Sequence, residues 1–443
     1  MSKASSPDLR SVARNFPIYQ WSGKVSRVQS LGVESTGPIC ALGDLVEIRW
    51  AGQKSQAEVI ALREGRVTLL PYGDTKGLTV GAEVVALETA PSVPVGMGYL
   101  GRVVDAFGVP LDGLPGPSST GVASLRRKPL NPLLREPISE RVFTGIRVID
   151  GLLPLGRGQR LGIFAGSGIG KSSLMGMLAR NVQADVNVVA LIGERGREVQ
   201  DFIEHCLSQE TRSHTILVVA TSDEPAVVRA RAAYTATAYA EYFRDQGNSV
   251  FLLMDSVTRF AMARREIDLA AGQPPTSRGY TPSVFSEIPA LCERCGSIAS
   301  GGAITAMYTV LVEGDDHNEP IADTLRATLD GQIVLSRELA NEGHFPAVDL
   351  LKSISRLERQ VADVSTLDAA NRLRGVLSVH HRHREMVEMG LYKAGTNPEL
   401  DQALLRIPGI TQFLRQKLDE VSSFDQTYQS LCRALTESSG VVR

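Results

Sequence analysis

The sequence predicts an α/β protein: a mostly parallel sheet flanked by helices, with a small β-barrel before it and a helical domain after it. Three observations carry that expectation. Short β-rich pieces follow one another from about residue 20 to 90 with no helical stretch between them. Continuous apolar strands alternate with helical stretches from about 140 to 360, which implies burial on both faces of a parallel sheet. After about residue 365 the pattern is helical to the end.

Taken in order, residues 1–18 carry Leu9, Val12 and Phe16 at helical spacing, which reads either as a thin apolar stripe for a partner or as a disordered tail. Residues 19–92 hold the barrel pieces SGKVSRVQSLGVES, LVEIRWAG, AEVIALREGRVTLLPYG and VGAEVVAL. A Pro- and Gly-rich stretch from VPVGMGYLG through LRRKPLNPLLREPI reads as a connection between domains. It opens a domain spanning 93–365 whose strands are QRLGIFAG, VNVVALIG, TILVVATS, SVFLLMD and ITAMYTVLV. Residues 366–443 form the helical domain, with ITQFLRQKLDEVSSFDQTYQSLCRAL read as helical throughout.

Bulk properties narrow the function. The 443 residues are 43% hydrophobic and 22% charged, ordinary for a soluble globular protein. The 47 basic and 49 acidic residues nearly cancel, so net charge gives no reason to expect nucleic-acid binding. The apolar runs are too short to cross a bilayer and the first residues lack a signal-peptide core, which makes the cytoplasm the expected compartment. Five cysteines fit a reducing environment, and Cys292 and Cys295 read as two buried thiols one helical turn apart. The cluster His380, His381 and His383 reads as a solvated helix face, since no acidic or thiol partner sits at ligand spacing.

The chemistry centres on GIFAGSGIGKSSLMGM, residues 162–177. A strand runs into a glycine-rich loop and then a helix, the setting of a P-loop. Gly166, Ser167, Gly168, Ile169 and Gly170 can turn successive backbone N–H groups inward around an anion, and the helix N-terminus adds positive potential. Lys171 brings a mobile cation to the β- and γ-phosphates, Ser172 a hydroxyl for Mg²⁺, and Ser173 completes the cradle. Ala165 stands where the general pattern has glycine, at little cost if its φ is negative. Asp255 and Glu194 end apolar strands and emerge at the sheet edge where the P-loop lies. Asp255 suits metal orientation and Glu194 suits polarisation of an attacking water.

With these residues placed, the chain resembles the hexameric ATPases related to the catalytic subunit of rotary ATP synthase. The motifs are AGSGIGKS, LIGERGRE, LLMDSVTRFA, SEIPALCERCGSI, EGDDHNEPIADTLRATLDGQIVLSREL and HFPAVDLLKSISR. The last two are most similar to the type III protein-export ATPases, in their flagellar branch. The resemblance implies a RecA-like P-loop core, ATP and Mg²⁺ as ligands, and hydrolysis by a homohexamer that energises flagellar protein export. It assigns Glu194 as catalytic carboxylate, Arg195 and Arg259 near the γ-phosphate, and Phe345 against the adenine ring, with Phe424 as a second adenine contact. Arg356 would reach the neighbouring subunit's nucleotide. It also implies a dimeric regulator at the N-terminus, a coiled-coil stalk protein, an export gate, chaperones and export substrates, and a peripheral position at the cytoplasmic membrane. An injectisome ATPase and a rotary synthase subunit are the neighbouring alternatives. A non-catalytic ring subunit fits less well because Glu194 is present, and an RNA-translocating ring fits less well for want of charge and aromatics.

Overall fold

The computed structural model describes residues 21–29, 32–87, 89–299, 301–312 and 319–436. Leu9, Val12 and Phe16 lie outside them. By contacts the chain divides into two units, one running to Pro91 with Glu266–Pro274 added, the other comprising Ser92–Arg265 and Pro275–Arg443.

The first unit is a closed barrel of β1 (Ser22–Gln29), β2 (Gly32–Thr36), β3 (Leu45–Trp50), β4 (Gln53–Arg63), β5 (Arg66–Pro71) and β6 (Glu83–Ala86). The strands close in the order β1-β2-β5-β4-β3-β6, every pairing antiparallel. Alternation of side chains across the pleat explains the pattern: Ala57 and Val59 of β4 point inward to meet Val33, Ile48, Leu69 and Val84. Bulges between Val25 and Arg27 and between Val59 and Ala61 supply the extra twist that closure needs.

The second unit is built on one sheet. Its strands are β7 (Val103–Val104), β8 (Arg160–Ala165), β9 (Val186–Glu194), β10 (Thr215–Thr221), β11 (Ser249–Asp255), β12 (Ala303–Leu311), β13 (Gly331–Val334) and β14 (Ile354–Ser355). They lie in the order β14-β13-β8-β12-β11-β9-β10-β7. Neighbours in this order run parallel except the β13–β14 pair, and a ninth, two-residue strand, Gly296–Ser297, pairs antiparallel with β12. Every residue of β9 is buried, as a strand covered on both faces requires. The covering helices used below are α1 (Arg147–Leu152), α2 (Lys171–Asn181), α3 (Gly196–Cys206), α4 (Ala226–Arg244), α5 (Val257–Ala270) and α6 (Pro282–Cys292).

Three longer helices follow: α7 (Val364–Glu388), α8 (Pro398–Leu414) and α9 (Phe424–Thr436). Asp363 caps α7 by accepting from the Thr366 N–H, and Asn397 caps α8 ahead of Pro398. Leu373, Ile410, Phe413 and Leu431 share one apolar cluster with Leu174 and Leu178 of α2, so these helices pack into the same core as the P-loop helix.

The three-part architecture read from the sequence is the one observed. Two local expectations differ. The Pro- and Gly-rich connection is ordered: Val103 and Val104 join the main sheet as an edge strand, and Ser92–Val95 pairs with Gly121–Ser124. Carboxylates tie its turns, with Asp105 accepting from the Phe107 and Val109 N–H groups and Asp112 held by Arg102 through two bonds of 2.7 and 2.8 Å. The run expected to be helical from Ile410 onward breaks at Arg415 and resumes only at Phe424. There the backbone bonds to other parts of the core instead.

Cys292 and Cys295 are fully buried free thiols, and burial pushes both above the usual thiol range. Cys295 Sγ sits 3.1 Å from the Tyr308 hydroxyl, just past the end of α6. Neither the histidines of α7 nor any other described residues form a cluster of three potential metal ligands. No described helix is long and apolar enough to cross a membrane.

The same region holds a buried ion pair. Arg294 donates to both Glu241 oxygens at 2.9 and 2.6 Å, with the side chains 3% and 2% exposed. Arg294→Met should strand the Glu241 charge and destabilise the fold by about 3 kcal/mol or more. Replacing Glu241 with Leu as well should recover part of that loss. Thermal and urea denaturation of the three proteins checks the order.

Candidate functional site

The parallel strands deliver their C-terminal ends to one edge, and the candidate site is assembled there. β8 stops at Ala165, whose φ is negative, so the alanine in place of glycine causes no backbone strain. The loop then turns on Gly168 at φ 76° and Gly170 at φ 90°, left-handed values that a side chain resists. Gly170 is also closely approached: a Cβ there would stand 3.1 Å from the Phe345 ring. Ile169 is 1% exposed, so its side chain anchors the loop in the core and leaves only its backbone for an anion. Ser167 and Gly168 face solvent, as do Ser172 and Ser173 in the first turn of α2.

Lys171 opens α2 and reaches across the edge. Its Nζ lies 2.5 Å from Asp255 Oδ1 and 3.5 Å from Glu194 Oε1. Asp255 ends β11 and Glu194 ends the neighbouring strand β9, so the sheet itself sets their spacing. Thr309 of β12 donates to the same Asp255 oxygen at 2.5 Å. Both bonds fall on Oδ1, which leaves Oδ2 for a cation. Gly193, at φ 70° and beside a register shift in β9, turns Glu194 toward the lysine; a Cβ on Gly193 would meet Arg259 at 3.1 Å.

Glu194 is 8% exposed, and burial raises its pKa above the ordinary glutamate value. A hydrogen bond with Glu198 and that residue's charge push the same way, while Lys171 and Arg259 pull it down. Arg259 sits on α5 behind Gly193, its buried Nε without a hydrogen-bond partner. A guanidinium in that condition is suited to an anionic ligand.

Beside the P-loop a cavity of about 1050 Å³ opens, walled by Gly170, Ser173 and Met177 on one side and by Phe345, Arg415 and Gln416 on the other. Phe345 is 43% exposed and presents its ring to this space. It is large enough for a nucleoside and adjoins the anion cradle directly.

Two expected residues do not join the cluster. Arg195, with its side chain 82% exposed, turns outward and lies 3.7 Å from Glu198. Phe424 does not line the cavity. Its ring packs edge-on against Phe143 at 5.3 Å, with the Arg141 guanidinium 4.1 Å above it. Arg356 follows edge strand β14 and lies beside Asp330 at the start of β13, at the opposite end of the strands from the P-loop, exposed, its guanidinium donating to the Arg326 carbonyl at 2.8 Å. The acids near it in sequence are engaged elsewhere, Glu358 with Arg374 and Asp349 with Lys352.

Other residues enter unforeseen. Thr309 could have been noticed as a polar residue near the end of an apolar strand. Arg337, which donates to the Ser167 carbonyl of the loop at 3.2 Å, follows a serine cap with no further signal. Glu198 lies one helical turn beyond Glu194, visible only as spacing. Arg147 and Gln416 contact each other across 269 residues and carry no local signature.

A metal ion fits this edge in one way. No described cluster of three protein ligands exists, so a cation would need oxygens from a bound phosphate together with Ser172 and the free Asp255 oxygen. That is the habit of Mg²⁺, which binds few carboxylates and shares its shell with phosphates.

The comparisons with known proteins agree with this geometry. Residues 145–355 match the model of the ATP synthase alpha/beta family nucleotide-binding domain, residues 19–88 that family's beta-barrel domain, and residues 362–433 the C-terminal domain of the type III secretion ATPase EscN. The flagellum-specific ATP synthase of Bacillus subtilis (strain 168) is 51% identical over 416 residues, covering 93% of this chain and 95% of that protein. The assembled ATPase EscN from the enteropathogenic E. coli type III secretion system superposes with a TM-score of 0.89 at 43% identity, over 93% of this chain and 100% of that one. EscN in complex with its central stalk EscO superposes at 0.86 with 42% identity, over the same shares. A P-loop whose lysine bridges two strand-end carboxylates, set on this fold and matched along nearly its whole length, places the chain in the flagellar and type III secretion branch of the ATP synthase alpha/beta family, a family of ATP-hydrolysing enzymes.

Proposed function

We propose that the chain hydrolyses ATP as a homohexameric ring and energises flagellar protein export. The observation that carries the reading is the Lys171 ammonium lying between Asp255 and Glu194 at the mouth of the glycine cradle. With ATP in place, the backbone N–H groups of residues 166–172 would hold the phosphates and Lys171 would swing onto the β- and γ-oxygens. Ser172 and Asp255 would hold Mg²⁺, which neutralises phosphate charge. Glu194, freed of the lysine, polarises a water; its oxygen attacks the γ-phosphorus, the bond to the β–γ bridging oxygen breaks, and the proton passes to the carboxylate. Arg259, behind Gly193, stabilises the charge that develops. Phe345 offers the base a face, and Phe424 and Arg195 take no part in this chain's own site.

The ring follows from Arg356. Its guanidinium is exposed and lies by the start of β13, at the opposite end of the parallel strands from Lys171, so a neighbouring copy's site is the one it can complete. Residues 1–18 would dock a dimeric regulator, with the barrel at 19–92, the nucleotide domain at 93–365 and the helical domain at 366–443. A stalk protein is proposed by analogy with EscO bound to EscN. An export gate, chaperones and export substrates complete the cytoplasmic assembly at the membrane, with no nucleic acid. The flagellar assignment follows the Bacillus subtilis relative; motility of a deletion strain tests it against an injectisome role.

Lys171→Ala should abolish nucleotide binding, whereas Glu194→Gln should bind ATP and stop turnover, as measured by calorimetry and phosphate release. Arg356→Ala should bind ATP normally and lose roughly 10³-fold or more in turnover by assembled rings; near-normal turnover per ring would end the case for a trans-acting arginine. Acidity offers a further check. Only ionised Glu194 can take up the proton, so turnover should fall as pH drops through its raised pKa. Glu198→Gln removes a charge and a hydrogen bond that favour the protonated form, so the acid limb should move to lower pH.

A further inference from the structure

Residues 415–422 form a strap along one wall of the cavity, and Gln416 is its centre, 5% exposed. Its backbone N–H donates to the Phe345 carbonyl at 2.9 Å. Its Oε1 accepts from the Arg147 N–H at 2.7 Å, and its Nε2 donates to the Gly145 and Glu420 carbonyls at 2.7 and 2.8 Å. The strap is fastened along its length as well. The Arg147 guanidinium donates to the Phe413 and Arg415 carbonyls and to the Glu420 carboxylate. Arg180, in the last turn of α2, donates to the Leu418 carbonyl at 2.8 Å.

Two walls of one cavity thus meet at a single residue, Phe345 at its backbone N–H and the Gly145–Arg147 segment at its side chain. Through Phe345 the strap reaches Gly170 of the phosphate loop, and through Arg180 it reaches the far end of the P-loop helix. None of these bonds involves Lys171, Ser172, Glu194 or Asp255. The wall beside the base and the cradle for the phosphates are therefore held by separate sets of interactions. A wall ordered during folding need not be ordered again when ligand arrives, and the affinity gain falls on the part of the ligand that touches it.

We propose that Gln416 is a positioning residue for the nucleoside half of the ligand: its side chain pins the strap to the Gly145–Arg147 segment and so holds in place the backbone N–H that meets Phe345, so that the base pocket stands formed before ATP enters. This rests on the nucleotide reading above and assigns Gln416 no contact with the base.

The test uses the full chain and two probes, a non-hydrolysable ATP analogue and inorganic tripolyphosphate, titrated against wild type, Gln416→Ala and Arg180→Ala, with steady-state kinetics alongside. Gln416→Ala should weaken the analogue and raise KM about tenfold, near the net worth of one hydrogen bond. Its kcat and its tripolyphosphate affinity should stay within about twofold of wild type. Gln416→Glu keeps the acceptor for Arg147 but loses both donations, and should share the defect. Arg180→Ala releases the strap from an exposed side and should give the same split in smaller measure; if Gln416→Ala does not fold, this variant decides. The proposal is overturned if tripolyphosphate affinity falls in step with that of the analogue, or if every folded variant binds the analogue as wild type does. Failure of the wild type to bind the analogue would instead overturn the nucleotide reading itself.

Discussion

One ammonium group stands between two buried carboxylates, and much of the second unit is arranged around that fact. Asp255 and Glu194 end adjacent parallel strands, 4% and 8% exposed. Both side chains are shut off from water, which makes uncompensated negative charge at this edge costly. Lys171 supplies the missing charge at 2.5 and 3.5 Å. It can do so only because the chain turns sharply from β8 into α2 at Gly168 and Gly170, and because Gly193 lets β9 shift register just before its acid. The cluster is thus stable without ligand and easily reorganised by one: a polyphosphate offers the lysine a better anion and returns Glu194 to its own, weaker acidity.

The helical C-terminus is part of this arrangement. Leu373, Ile410 and Leu431 share a core with α2, and the non-helical stretch between α8 and α9 closes the space beside Phe345. The glycine cradle lies near position 170, while the facing wall of the cavity comes from residues near 345 and 416. A single bound molecule would therefore touch segments from widely separated parts of the chain.

Much of this was legible in the sequence, and what was legible was local. Strand, glycine loop and helix give the cradle; an apolar run ending in an acid gives Asp255 and Glu194 their place, since strand ends in a parallel sheet share an edge. Contacts between remote segments left no such trace. The run from Ile410 looked helical by composition, yet the Arg147 guanidinium takes up the Phe413 and Arg415 carbonyls from 266 and 268 residues away, and the Gln416 side chain takes up that of Glu420. Phe424 aligned only loosely, outside the motifs that carry the resemblance, and Arg141 and Phe143 engage its ring. Arg195, next to a buried glutamate in sequence, opens a helix whose first turn faces solvent. The Gly- and Pro-rich connection looked like loop because its order comes from single carboxylates, Asp105 and Asp112, capping turns rather than from any periodicity.

The barrel's closure bears on how copies of such a chain meet. Because β1 bonds to both β2 and β6, the described strands of the small domain leave no open row of amides and carbonyls. Another molecule arriving there finds only side chains, so sheets cannot fuse edge to edge across the junction. Association of that kind is limited by surface complementarity and remains reversible, which lets a β-rich module crowd against its own kind without seeding fibres.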